Sequence, residues 1–169
     1  MPIRHAQAAD LPAIVAIYNA SIPGGMATAD TSPVTVAQRE AWFREFDPSH
    51  RPLWVWSATA DGEAIAWLSL RSFYGRPAYR STVEVAVYTA PHAQRRGLGR
   101  RLLAHAIESG ETLQINTLLA FIFGHNAASL ALFDEAGFTQ WGYLPGVAEL
   151  DGRERDLAIL GRRIDRVAP

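Results

Sequence analysis

Apolar residues recur at helical spacing twice near the start of the chain. Ile14, Ile17 and Tyr18 share one face of a segment from Leu11 to about Asn19, with Asp10 in the capping position and Pro12 in the first turn. Thr35 and Gln38 have the spacing of a reciprocal cap for a second helix through Phe46, whose apolar side is Trp42, Phe43 and Phe46. A short strand, Ile3 to Gln7, precedes these helices, and Ser21 to Pro33, rich in Gly, Pro, Ser and Thr, reads as a loop. The pattern then turns to strands. Pro52 to Ala60 and Glu63 to Leu70 flank a tight Asp61-Gly62 turn. A polar loop from Arg71 to Arg80 leads to Thr82 to Thr89, an alternating β-branched run read as a central strand that Pro91 ends.

The second half pairs strands with helices. Gly97 to Ser109 carries Leu98, Leu102, Ala106 and Ile107 on one helical face, and Ile115 to Phe123 is the near-continuous apolar run of a buried strand. Asn126 caps a helix that ends at Gly137, where a left-handed residue is needed. Phe138 to Val147 and Asp156 to Ile164 close the chain as two strands around an Asp151-Gly152 turn, and Arg162 to Arg166 read as a solvated end. The order predicts one α/β (α+β) domain over 1–169: a mixed sheet with helices on both faces.

Composition narrows the chemistry. At 169 residues, with 49% apolar and 20% charged residues, the chain can bury one core. Its net charge of −1 gives no general pull toward nucleic acid or membrane surfaces. No run approaches the ~18 apolar residues of a membrane span, so a cytoplasmic protein is expected. There is no Cys, which excludes disulfides, thiolate metal sites and a Cys nucleophile. All 16 basic residues are Arg, which rules out a P-loop lysine. No Gly-x-Ser-x-Gly elbow and no full Gly-x-Gly-x-x-Gly occurs, and the five His show no metal-ligand spacing, so no metal is expected.

The informative segment is the strand Val83 to Thr89 running into Gln94-Arg95-Arg96-Gly97-Leu98-Gly99-Arg100-Arg101. A Gly-containing turn that opens a helix exposes backbone N–H groups at the positive end of the helix dipole, which suits a phosphate. Gln94-x-x-Gly97-x-Gly99 resembles the acetyl-CoA signature of the GCN5-related N-acetyltransferases (GNAT). Asn126-Ala127-Ala128-Ser129 followed by Gly137-Phe138 resembles a second mark of that superfamily. Asp10-Leu11-Pro12, Arg76 to Arg80, Thr82-Val83-Glu84 and Gly152-Arg153 resemble its phosphinothricin and methionine-sulfoximine acetyltransferase branch, and the match spans nearly the whole chain.

That resemblance implies a GNAT-like sheet of six to seven strands flanked by about four helices. It implies acetyl transfer from acetyl-CoA to the primary amine of a small acceptor, by direct attack in a ternary complex. Val87, Tyr88 and Thr89 would meet the pantetheine arm, Gln94, Arg95, Arg96, Gly97, Leu98, Gly99 and Arg100 the diphosphate, and Asn126 the pantetheine side. Glu84 would be the general base, although strand alternation also permits a solvated edge for it. Tyr74, Arg76 and Arg80 would bind the acceptor, with Arg71 as a further cation. A homodimer is implied too.

Some residues depart from the branch. Phe133 replaces a proton-donating Tyr or a His, Tyr74 replaces an Arg, Ser81 and Glu154 replace Trp, and Ala29 replaces an aromatic residue. Water would therefore protonate the leaving thiolate. Two other readings stand: acetylation of a protein or peptide N-terminus, and a non-catalytic acyl-CoA sensor. Trp54, Trp56 and Trp67 read as strand packing rather than as a binding platform.

Overall fold

Seven runs of extended backbone assemble into one sheet in the computed structural model, which describes residues 2–59 and 62–164. The strands are β1 (Ile3–His5), β2 (Leu53–Ser57), β3 (Ala64–Ser72), β4 (Thr82–Thr89), β5 (Thr117–Phe123), β6 (Thr139–Leu150) and β7 (Arg153–Arg163), in the order β1-β2-β3-β4-β5-β7-β6. Every neighbouring pair is antiparallel except β4 and β5. The four helices are α1 (Leu11–Ala20), α2 (Val36–Arg44), α3 (Leu98–Glu108) and α4 (Ala127–Glu135). The sheet type, strand number and helix number agree with the sequence expectation.

Strand alternation divides the core into two layers. Trp67 faces α1 and α2: its Nε1 donates to the Ile14 carbonyl (3.2 Å) and its ring meets Trp42 edge-on. Trp54 and Trp56 face α3, where they meet His105 and the Arg101 guanidinium. In the register of β3 with β4, Trp67 lies opposite Tyr88, Ser69 opposite Ala86 and Arg71 opposite Glu84. The even-numbered side chains of β4 therefore share the α1–α2 face, and Val83, Val85 and Val87 point toward α3.

Local signals hold at several ends. Thr35 Oγ1 accepts from the Gln38 amide (3.2 Å) and Gln38 Oε1 accepts from the Thr35 amide (2.8 Å), the reciprocal cap read from the sequence. Asp151 and Gly152 both have positive φ (51° and 70°), as a two-residue hairpin turn requires.

Other boundaries move. Asp10 does not cap α1 with its side chain: it accepts from the Gln7 amide (2.7 Å) and takes two bonds from Arg4, closing a short 3-10 turn. Gln7 therefore leaves β1. Helix α2 stops at Arg44, and Ile115, though buried, precedes β5. Strand β6 runs on to Leu150 across a bulge between Leu144 and Ala148, and β7 begins at Arg153. In the Asp61-Gly62 turn, Asp61 lies outside the described residues, as does Ala60 of the strand before it. Of the expected solvated end, Asp165 and Arg166 also lie outside them, whereas Arg162 donates to the Ala136 carbonyl and Arg163 to Thr117 Oγ1. Among the described residues no helix is long and apolar enough to cross a membrane.

Candidate active site

The parallel pair at the middle of the sheet is short. β4 and β5 pair only at Thr82 with Thr117, Val83 with Leu118 and Glu84 with Leu119, while β4 stays paired to β3 through Thr89. Beyond Glu84 the two strands diverge and leave one edge of β4 uncovered. The Ala90 amide donates to the Ile65 carbonyl and the Phe73 amide to the Thr82 carbonyl, so even-numbered backbone groups of β4 face β3. The backbone groups of Val85, Val87 and Thr89 consequently face the gap, free to pair with an extended amide-containing chain.

The gap leads to the start of α3. Gly97 is the residue before the helix, at φ 75°, and Arg95 is also left-handed at φ 59°. Alternating handedness of this kind turns successive amides into one concavity, a shape that binds anions. The first backbone bond of α3 runs from the Arg101 amide to the Gly97 carbonyl (3.1 Å), so the amides of Leu98, Gly99 and Arg100 have no acceptor in the helix. A side chain at Gly97 would point into open space, the space an anion would use. At Gly99 a Cβ would lie 3.3 Å from Leu132, so glycine there lets α3 approach α4.

Three cavities follow one another along this route. The outer one, about 690 Å3, is lined by Val87 to Thr89, Gln94, Arg95, Gly97 to Arg100, Asn126 and Ser129. A neck of about 90 Å3 lies between the diverging strands and is lined by Glu84 to Tyr88, Ala120 to Phe123 and the buried Phe133. The inner one, about 490 Å3, lies on the α1–α2 face, against Glu84, Ala86, Tyr88, Trp67, Arg39 and Arg71. Ala27 and Tyr88 line all three.

Charge in the inner cavity is arranged around Glu84. Burial pushes its carboxyl above the ordinary glutamate value, and the guanidinium of Arg71, its cross-strand neighbour, offsets part of that rise. Arg71 also reaches Glu45 (3.3 Å), and Arg39 pairs with Asp30 (3.0 Å) while lying over the Tyr18 ring. Tyr88 stacks on Trp67, and burial first, then Tyr18 and Glu84, hold its hydroxyl well above the usual phenol range. Its proton therefore stays on at neutral pH, and it donates to the Ala27 carbonyl (3.2 Å).

Most of the residues expected to contact acetyl-CoA gather along the outer cavity. Arg96 is exposed and outside that lining, and Arg101 turns away to Trp56. Asn126 combines two tasks: its Oδ1 caps the Ser129 amide (3.1 Å), and its side chain lines the groove. The expected acceptor residues are placed elsewhere. Tyr74 is 76% exposed and packs with Phe73 and Tyr79 beyond the end of β3. Arg76 lies in the same exposed loop, and Arg80 lines a separate polar cleft with Asn116 and Arg163. Of the expected cations Arg71 does line the inner cavity, joined there by Arg39 and Trp42, and Trp67 is both core and cavity wall. A sequence signal existed for Arg39, which sits three residues before Trp42 on the apolar side of α2. Arg71 is the further cation expected from the sequence, although its place beside Glu84 depends on the register across a nine-residue loop. Among the described residues no group of His, Asp and Glu could hold a metal ion.

Comparison with known proteins gives the family and the fold. The model of the acetyltransferase (GNAT) family matches residues 14–138. The chain is 48% identical to a Bacillus subtilis protein named "Putative phosphinothricin acetyltransferase YwnH", over 97% of this chain and 99% of that one. It is 36% identical to the L-methionine sulfoximine/L-methionine sulfone acetyltransferase of Pseudomonas aeruginosa, over 99% of this chain and 98% of that one. It superposes with a TM-score of 0.89 on a phosphinothricin acetyltransferase from Sinorhizobium meliloti in complex with acetyl-CoA, at 30% identity, covering 97% of this chain and 89% of that one.

Proposed function

Given that the chain belongs to the acetyltransferase (GNAT) family, we propose that it acetylates the primary amine of an amino acid or amino-acid analogue of the methionine-sulfoximine or phosphinothricin kind. The observation that carries this reading is the inner cavity, where one half-buried carboxylate, Glu84, lies beside Arg71 at the mouth of a neck open to the cofactor groove and Arg39 lines the same cavity. A cavity of about 490 Å3 walled by Tyr18, Trp42, Trp67 and Tyr88 suits a small acceptor better than a peptide chain.

The mechanism follows from the charges. An amino group arrives mostly protonated at neutral pH. Glu84, with a raised pKa, takes that proton directly or through a water and leaves a neutral nucleophile beside the thioester. Arg71 and Arg39, which line the same cavity, hold the acceptor's carboxylate and so orient the amine. The backbone of Val87 and Thr89 aligns the pantetheine arm, and the amides from Arg95 to Arg100 hold the diphosphate. Phe133 has no proton to give, and Tyr88 is held too basic to be a useful acid, so solvent protonates the departing thiolate. No acyl-enzyme forms, because the attack joins amine and acetyl carbon in one ternary complex.

The test is release of free thiol from acetyl-CoA with L-methionine sulfoximine, phosphinothricin, their decarboxylated amines and a short peptide. The two amino-acid analogues are expected to turn over fastest, and preference for the peptide would overturn the reading. Arg71→Met is expected to raise the KM for carboxylate-bearing acceptors roughly tenfold or more, the loss of one charge-assisted contact. The KM of the decarboxylated amines should barely move. The exposed Trp141, Tyr143, Leu144 and Val147 on edge strand β6 would bury themselves in a homodimer, which sedimentation of the intact chain would reveal. A cytoplasmic location fits the use of acetyl-CoA.

A further inference from the structure

Between α1 and α2 a stretch without helix or strand crosses the neck, and side chains from both sites hold it down. Three successive backbone carbonyls are taken by side chains, the first two from the cofactor side and the third by Tyr88, which lines all three cavities. His125 Nε2 donates to the Gly25 carbonyl (2.7 Å), Asn126 Nδ2 to the Met26 carbonyl (2.8 Å) and the Tyr88 hydroxyl to the Ala27 carbonyl (3.2 Å). On the acceptor side Thr28 and Asp30 are both bonded to the Tyr18 hydroxyl, and Asp30 pairs with Arg39. Met26 and Ala27 line the outer cavity and the neck, while Ala27, Thr28 and Ala29 line the inner cavity. The segment therefore borders all three cavities and forms one wall of the neck that joins them.

From this arrangement we infer that His125 is a positioning residue for acetyl transfer, which fixes the strap from Gly25 to Ala29 and so shapes the acceptor side of the neck. A carbonyl only accepts, so Nε2 carries the hydrogen in this contact. The ring is also pinned by stacking on Phe123, with centroids 5.5 Å apart. Gly24 and Gly25, at φ 93° and 61°, give the strap a left-handed entry that does not fix its direction beyond that point. His125, one residue before the cap of α4, supplies that direction from a rigid element. On its own side of the strap Gly25 has a backbone bond to the Ile22 carbonyl (3.2 Å), which sets the turn but not the course of the residues after it.

This inference rests on the acceptor reading above, and its test separates the two. His125→Phe keeps a ring on Phe123 and removes the donor, whereas His125→Gln keeps a donor at similar reach. In thiol-release assays His125→Phe is expected to raise the acceptor KM roughly three- to tenfold, the worth of one hydrogen bond. Its affinity for acetyl-CoA should stay that of the parent, and His125→Gln should restore the acceptor KM. Hydrogen–deuterium exchange on the same proteins needs no acceptor: peptides covering 25–29 should exchange faster in His125→Phe and at the parental rate in His125→Gln. Unchanged exchange in His125→Phe, or a KM rise that His125→Gln fails to reverse, overturns the inference. A parent enzyme that ignores carboxylate-bearing amines would count against the acceptor reading and leave the exchange result to decide on the strap.

Discussion

Glu84→Gln is expected to lower kcat by about 10²- to 10⁴-fold, the range a positioned general base supplies. The change is nearly isosteric, so the KM for acetyl-CoA should hold. Stability gives the control. Burial raises the folded-state pKa of Glu84 above its unfolded value. The ionised carboxylate therefore costs stability once the pH exceeds the unfolded value, and the cost disappears as the pH falls and the group protonates. Replacing it with a neutral amide removes that cost, so the melting temperature at neutral pH should stay level or rise. The pH profile supplies a second readout. kcat/KM reports the free enzyme, and its acid limb in the parent should have a midpoint above the ordinary glutamate range. In Glu84→Gln that limb should vanish. A variant with parental kcat would return Glu84 to the role of a solvated strand residue.

Gly97→Val should cost about a hundredfold or more in affinity for CoA. Two causes act together. A β-branched residue at φ 75° is strained by about 1–2 kcal/mol, and relief of that strain would tip the amides out of their concavity. The new methyl groups would also enter the open space beside those amides. Loss of two hydrogen bonds to a charged diphosphate amounts to about 3 kcal/mol, which gives the stated factor. Gly97→Asn should do less harm, because Asn tolerates left-handed backbone. Calorimetric titration with CoA reads both variants, and equal affinities for parent and Gly97→Val would contradict the placement of the diphosphate.

What could be read in advance was local. The Thr35–Gln38 cap, the Gly-containing turn at Gly97, the left-handed Gly137, the Asp151-Gly152 turn and the bounds of β4 are each fixed by a few neighbouring residues. The functional geometry has longer-range causes. The neck exists because β5 leaves β4 after Leu119, which depends on β7 holding β5 along its whole length. Arg71 meets Glu84 through hairpin register, and Arg39 reaches the same cavity from a different element. His125 and Tyr88 find their carbonyl partners 100 and 61 residues away. Tyr74, Arg76 and Arg80 illustrate the reverse. They lie next to β4 in the chain, yet they belong to an exposed loop beyond the end of β3, away from the inner cavity.

A crystal structure of the protein with acetyl-CoA bound tests the central claim most directly. The diphosphate should rest on the amides from Arg95 to Arg100, the pantetheine should pair with Val87 and Thr89 along the open edge of β4, and the thioester should enter the neck beside Glu84. A cofactor bound elsewhere, or a β4–β5 gap left empty with the thioester directed away from Glu84, would contradict the account.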